Sequence, residues 1–189
     1  MKKQLISLSV LLIFSASGLF FTSCSEPKEV EKVTFLEKRN YTAEDSIIDL
    51  YPREKGEAHG GSYFSRTDSS RNFGIGTAYL INDTCINKDL RVKMNIWVRA
   101  NQASPQAVYA FEINDGQKIA SWYEIKFDKY IKETNKWINI IDSVTIPAAV
   151  INKPGLTIKT YTYNTQKQLI VDSDDLELTF LNVRKEIEQ

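Results

Sequence analysis

Arg91-Val92-Lys93-Met94-Asn95-Ile96-Trp97-Val98-Arg99 alternates without a break. Val92, Met94, Ile96 and Val98 share one face, and Lys93, Asn95, Trp97 and Arg99 share the other. Period two sustained over this length predicts a strand with one buried face. Just after it, residues 107–113 and 119–127 flank Asn114-Asp115-Gly116, whose glycine suits the left-handed position of a hairpin loop. A three-residue loop keeps both faces coherent. It sets Tyr109, Phe111, Ile113, Ile119, Tyr123, Ile125 and Phe127 on one side, and Val108, Ala110, Glu112, Lys118, Ala120, Trp122 and Glu124 on the other. The register must satisfy the buried face, so Glu112 is expected opposite Lys118 as a cross-strand ion pair.

Shorter strands are expected near 33–36, 63–65, 73–81, 137–141, 144–146, 156–163, 169–171 and 176–180, with a helical turn within 128–136. The chain shows no internal repeat and no second domain. Many short strands between turn signals mean an all-β sandwich or barrel.

The chain begins differently. Lys2-Lys3 precedes an apolar run over residues 5–21, interrupted by serines, which ends in Thr22-Ser23-Cys24. A basic head, a short apolar core and a small-residue exit form an export signal; the run is short and serine-rich for a membrane span. Phe21-Thr22-Ser23-Cys24 resembles the lipobox of bacterial lipoproteins, with Phe21 where leucine is usual. The resemblance implies cleavage before Cys24 and a diacylglycerol on its thiol, and two or more acyl chains anchor stably. Residues 1–23 are then the signal peptide, 24–32 a lipidated polar tether, and 33–189 the folded domain. The acidic residues after Cys24 resemble surface-export signals, interrupted by Pro27 and Lys28.

The mature chain of about 165 residues is one domain's worth. Loss of Lys2 and Lys3 leaves 22 basic against 24 acidic residues, a net of about −2, so no nucleic-acid footprint exists. With Cys24 committed to lipid, Cys85 has no partner within the chain and is expected buried and inert. The single histidine, His59, excludes His-rich metal sites; in its Gly-rich surroundings it is expected to be a turn residue. No Gly-rich phosphate loop appears.

Three stretches share the motif order of a known fold. They are Ala58-His59-Gly60-Gly61-Ser62-Tyr63; Trp137 ahead of a strand with Ile146-Pro147; and Tyr161-Thr162-Tyr163-Asn164 followed by Val171 and Asp174-Asp175-Leu176-Glu177-Leu178. From about residue 57 to the end, this order resembles the galactose-binding-like jelly rolls that include many carbohydrate-binding modules. Gly60 replaces the usual serine, and Tyr163 a tryptophan seen in some relatives. The resemblance implies a two-sheet antiparallel β-sandwich and binding rather than catalysis. It also implies that Asp174, Asp175 and Glu177 are candidate ligands of a structural calcium ion, which needs six to eight oxygens.

Sugar rings stack on aromatic faces while their hydroxyls need polar partners. Trp97 with Asn95 and Arg99, Trp122 with Glu124, and Tyr161 with Tyr163 supply both, and are the candidate ligand-binding residues; Trp137 is read as structural. Glu112 opposite Lys118 would leave Glu124 about 20 Å away along its strand, too far for a glycosidase pair, so no enzyme is expected. The expected function is non-catalytic glycan binding by an exported, membrane-anchored lipoprotein. Its place is the outer membrane, on the periplasmic side or the cell surface. The alternative is a structural or assembly lipoprotein that holds a protein partner.

Overall fold

The computed structural model describes residues 29–44 and 53–187. Among these, ten strands run in chain order: β1 (Glu29–Tyr41), β2 (Arg53–Lys55), β3 (Tyr63–Thr67), β4 (Phe73–Leu80), β5 (Asp89–Ala100), β6 (Val108–Asp115), β7 (Lys118–Lys126), β8 (Ile138–Ile146), β9 (Thr157–Tyr163) and β10 (Val171–Ile187). They form two antiparallel sheets. One has the order β2-β3-β10-β5-β8, with β1 also paired to β10, and the other the order β4-β9-β6-β7. From β3 onward the pairing is nested: β3 with β10, β4 with β9, β5 with β8, β6 with β7. That nesting, wrapped into two four-stranded layers, is the jelly roll, so the fold is the two-sheet antiparallel β-sandwich expected.

Alternation explains the core. Leu90, Val92, Met94, Ile96, Val98 and Ala100 of β5 are buried, while Arg91, Lys93, Asn95, Trp97 and Arg99 face outward. Facing them, β6 contributes Tyr109, Phe111 and Ile113. Tyr79 stacks on Phe180 between the sheets, with centroids 4.1 Å apart. Cys85 is free and buried.

The hairpin departs from expectation. Asp115 pairs with Lys118, so the loop is the two residues Gly116 and Gln117, with Gly116 at φ +61. Positive φ at the first loop position fits a type II′ turn. Two positions on, Asn114 pairs with Ile119 but Ile113 with Ser121, leaving Ala120 as a bulge. A bulge adds one residue to one strand and restores the face phase that a two-residue loop lacks. Glu112 therefore faces Trp122, not Lys118, and Ile119 is 60% exposed rather than in the core. Tyr109, Phe111, Ile113 and Ile125 remain buried, with Trp122 on the opposite face.

Three further differences concern length, the first being that the stretches expected at 137–141 and 144–146 form the single strand β8. β1 begins at Glu29, so residues 29–32 are strand rather than tether. The stretches expected at 169–171 and 176–180 belong to one strand, β10, whose register shifts between Asp174 and Glu177 while Asp175 takes φ +47. A single 3-10 turn, Phe127–Lys129, stands near the expected helical turn. The export signal, Cys24 and the start of the tether lie outside the described residues. Among the described residues no helix is long and apolar enough to cross a membrane.

Candidate functional site

The ligand-binding residues expected from the sequence lie on two different surfaces. Trp97, Asn95 and Arg99 are on β5, on the outer face of the larger sheet; Trp122, Tyr161 and Tyr163 are on β7 and β9, on the outer face of the smaller sheet. A sandwich places these faces on opposite sides of its core.

The smaller sheet's outer face is built in cross-strand rows. One row runs Phe73, Tyr163, Val108, Lys126; the next, Gly76, Tyr161, Ala110, Glu124; the third, Ala78, Lys159, Glu112, Trp122. Small residues at Gly76, Ala78, Val108 and Ala110 leave a low floor between larger side chains. At Gly76 the floor cannot rise, because an added Cβ would sit 1.8 Å from the Thr160 carbonyl oxygen.

Trp122 is 37% exposed. Its ring meets Tyr161 edge-on at 6.0 Å and Tyr163 at 5.8 Å. Phe73 extends the cluster, lying 5.2 Å from Tyr161 and 5.3 Å from Tyr163. Phe73 is stacked on Tyr163 at 29° and the other pairs are T-shaped; both arrangements are favourable for aromatic pairs. An open groove of about 370 Å³ runs beside the indole, lined by Gln106, Trp122, Glu124, Lys126, Tyr163 and Thr165 among others.

Polar groups fix these rings. The Tyr161 hydroxyl donates to Glu112 Oε2 at 2.6 Å. Burial first, and this carboxylate second, push the phenol well above its ordinary range, so Tyr161 acts as a hydrogen-bond donor. Trp122 Nε1 donates to Glu124 Oε2 at 3.3 Å, and Lys126 Nζ lies 3.3 Å from Glu124 Oε1. The groove thus offers an indole face, a carboxylate, an ammonium and amide groups within one short stretch.

The corrected hairpin register also alters the carboxylate geometry. Glu112 faces Trp122 and Ala110 faces Glu124, so Glu112 and Glu124 are diagonal neighbours about 7–8 Å apart at their backbones. The 20 Å separation expected from the sequence is incorrect, and distance alone does not exclude a carboxylate pair on this face. Each carboxylate is already engaged by an aromatic donor on the platform.

The other face is closed by the chain itself. His59 stacks flat on Trp97, with ring centroids 3.7 Å apart at 13°. His59 is therefore more than a turn residue: it covers an indole face. Residues 56–62, the loop that carries it, are fastened at the middle and at the C-terminal end. Asp174 Oδ2 accepts from the His59 and Gly60 amides at 3.2 and 3.0 Å, and Glu44 accepts from the Ser62 and Tyr63 amides. Trp137 lies edge-on to His59 and Phe64, and Arg99 sits 4.7 Å over the Trp137 ring. Arg99 is committed to Asp172 (2.8 Å), which also takes Arg66 (2.7 Å). Asn95 accepts from Asn139 at 2.6 Å. A shallow groove of about 270 Å³ remains along Asn95, Trp97, Asp175 and Glu177.

The three carboxylates expected to hold calcium are each engaged by the protein. Asp174 is buried and accepts backbone amides; burial raises its pKa above the usual carboxylate range, partly offset by the Gly60 amide. Asp175 meets His59 Nδ1 at 2.7 Å, and Glu177 pairs with Lys38 at 2.7 Å. Among the described residues no three His, Cys, Asp or Glu side chains converge as a metal site.

The sequence reading missed Gln106 and Lys126 in the groove beside Trp122, and Phe73 against Tyr161 and Tyr163. Their proximity follows from long-range pairing of β4, β9, β6 and β7, which no local pattern encodes.

No protein-family model and no curated protein matches the chain. Similar solved structures include the CBM22-2 xylan-binding domain of Paenibacillus barcinonensis Xyn10C, with 17% identity over 75% of this chain and 90% of that one and a TM-score of 0.42. Another is the family 30 carbohydrate-binding module of a Clostridium thermocellum cellulosomal cellulase, with 10% identity, 80% and 96% coverage and a TM-score of 0.36. The VP2 subviral particle of infectious bursal disease virus is also similar, with 10% identity, 87% and 38% coverage and a TM-score of 0.39.

Proposed function

We propose that the outer face of β4-β9-β6-β7 binds a glycan without hydrolysing it, on an exported protein anchored by lipid at Cys24 in the outer membrane. The observation that carries the reading is the partly exposed Trp122 indole above an open groove, braced by Tyr161 and Tyr163 and flanked by Glu124, Lys126 and Gln106. A sugar ring laid on the indole removes apolar area from water at about 25 cal/mol per Å², and its hydroxyls meet the carboxylate, ammonium and amide groups. The floor residues Val108 and Ala110 leave room for a chain rather than a single pocketed ring. Contact on one open sheet face predicts weak binding that depends heavily on one indole. Anchoring rests on the small-residue motif that ends in Cys24.

Affinity electrophoresis against xylan, β-glucan, mannan and galactan tests the site. Wild type should be retarded by at least one polymer without shortening it, and Trp122→Ala should not be retarded. Retention unchanged in Trp122→Ala would overturn the assignment of the face. Polymer cleavage lost in Glu112→Gln or Glu124→Gln would overturn the non-catalytic reading. Retention by none of these polymers, with capture of a surface protein through the same face, would favour an assembly role. For the anchor, mass spectrometry of membrane-extracted protein should find Cys24 as the acylated first residue; an unmodified, soluble mature chain would contradict it.

A further inference from the structure

β1 is an edge strand of unusual length. It pairs with β10 from Glu29 to Tyr41, and among the described residues no strand pairs with its other side. An open edge of this length is a template for another strand unless it is blunted. Val33 and Phe35 are 48% and 61% exposed. They lie on the sheet's outer face beside Val183 and Leu181, their partners on β10, which are themselves buried.

We propose that this edge is an interface with a second copy of the same chain, β1 pairing antiparallel with β1 about a two-fold axis at Thr34. The sequence Glu31-Lys32-Val33-Thr34-Phe35-Leu36-Glu37-Lys38 is self-complementary in that register. Val33 meets the second copy's Phe35, which makes one apolar row of Leu181, Phe35, Val33 and Val183 across the seam.

The register of β1 on β10 shifts between Phe35 and Glu37, which leaves Leu36 as a bulge. Counting past that bulge, Lys32 meets the second copy's Glu37, and Glu31 meets its Lys38. Without the bulge, Glu31 would face Glu37 and the charges would repel. Within one chain Arg91 already holds Glu31 (2.9 Å) and Glu177 holds Lys38 (2.7 Å). Pairing joins these into a row of alternating sign: Arg91, Glu31, the second copy's Lys38, the second copy's Glu177. Opposite charges directly across strands stabilise a sheet, and like charges destabilise it. The interface is isologous, as a two-fold requires, and it adds a strand to a sheet edge. It leaves the Trp122 face open, so it stands or falls apart from glycan binding.

Cross-linking of the full-length chain tests the axis. Residues directly opposite on antiparallel strands have Cα atoms about 4.5–5.5 Å apart, within disulfide reach. Under mild oxidation Thr34→Cys should give a covalent dimer on a non-reducing gel. With Cys24→Ser in every chain, Asn40→Cys, which faces Glu29 of the second copy, should not, and neither should the parent, whose remaining thiol, Cys85, is buried. Adding Phe35→Glu to Thr34→Cys should slow dimer formation at least tenfold, and because Phe35 is exposed the fold should persist by circular dichroism. A monomeric Thr34→Cys, equal dimerisation of Asn40→Cys, or a rate unchanged by Phe35→Glu would each overturn the proposal.

Discussion

Trp97 and Trp122 both project from the outward side of a sheet, yet their surroundings are opposite. On the larger sheet His59 lies flat on Trp97, and Asp174 and Glu44 pin the loop that carries it. On the smaller sheet Trp122 meets Tyr161 and Tyr163 at steep ring angles with no ring stacked flat on it, and its groove is open. The same residue type on the same kind of strand thus serves stability on one side and leaves a free apolar face on the other. Aromatic content did not decide this; the loop of residues 56–62 did, because it crosses one face and not the other.

The largest expected effect tests the closed face. Asp172 is buried between Arg66 and Arg99. Asp172→Ala removes the buried carboxylate shared by both guanidinium groups and leaves Arg66 with Glu54 (3.0 Å) and Arg99 with the exposed Glu57 (3.8 Å), a loss of about 3 kcal/mol, the low end for a broken buried pair. Urea unfolding should show a large fall in midpoint; a midpoint near wild type would mean that this face is not held as described.

The tryptophans come next. Trp97→Ala removes an indole packed on one face and should cost about 2 kcal/mol, roughly half the value for a fully buried ring. Trp122→Ala removes a partly exposed indole, its two T-shaped ring contacts and its hydrogen bond to Glu124, and should cost about 1 kcal/mol, less than Trp97→Ala. Paired urea curves check the order. Equal losses would erase the distinction between the faces.

The smallest effect is a slope. Burial raises the Asp174 pKa, so the folded state keeps its proton to higher pH than the unfolded chain. The stability this confers is fully present below the ordinary carboxylate value, about 4, and is lost as pH rises through the raised value. Asp174→Asn keeps an acceptor for the Gly60 amide but no titrating group. Its melting temperature should decline less than that of wild type as pH rises from about 4 to 7. An identical slope would show that Asp174 does not carry that dependence.

What the sequence could show follows from the range of each signal. Alternation in β5 is local, and it placed Val92, Met94, Ile96 and Val98 inward, though not the buried Leu90 and Ala100 at the ends of the strand. It also set Trp122 and Phe111 on different faces of the hairpin, a parity that survives a shift of register. The turn at Gly116 and the bulge at Ala120 compensate each other, so a simple loop and a bulged one leave nearly the same face pattern. The unbroken course of β10 was hidden by its buried polar run, Asp172-Ser173-Asp174, whose partners Arg66, Arg99 and the Gly60 amide lie over seventy positions away in the chain. Period two tells which side of a strand a tryptophan takes, but not which sheet owns the strand. For that reason the pattern groups Trp97 with Trp122, although they lie on different sheets.

The central claim is that sugar meets Trp122 and not Trp97. The indole N–H groups of Trp97, Trp122 and Trp137 give three separate amide-type resonances in a nitrogen–proton correlation spectrum, assignable by single substitution to phenylalanine. Titration with xylo-, cello-, manno- and galacto-oligosaccharides should move the Trp122 resonance progressively with at least one series while Trp97 and Trp137 stay in place. Movement of Trp97 with Trp122 unmoved, or no movement of Trp122 with any of the four, would contradict the account.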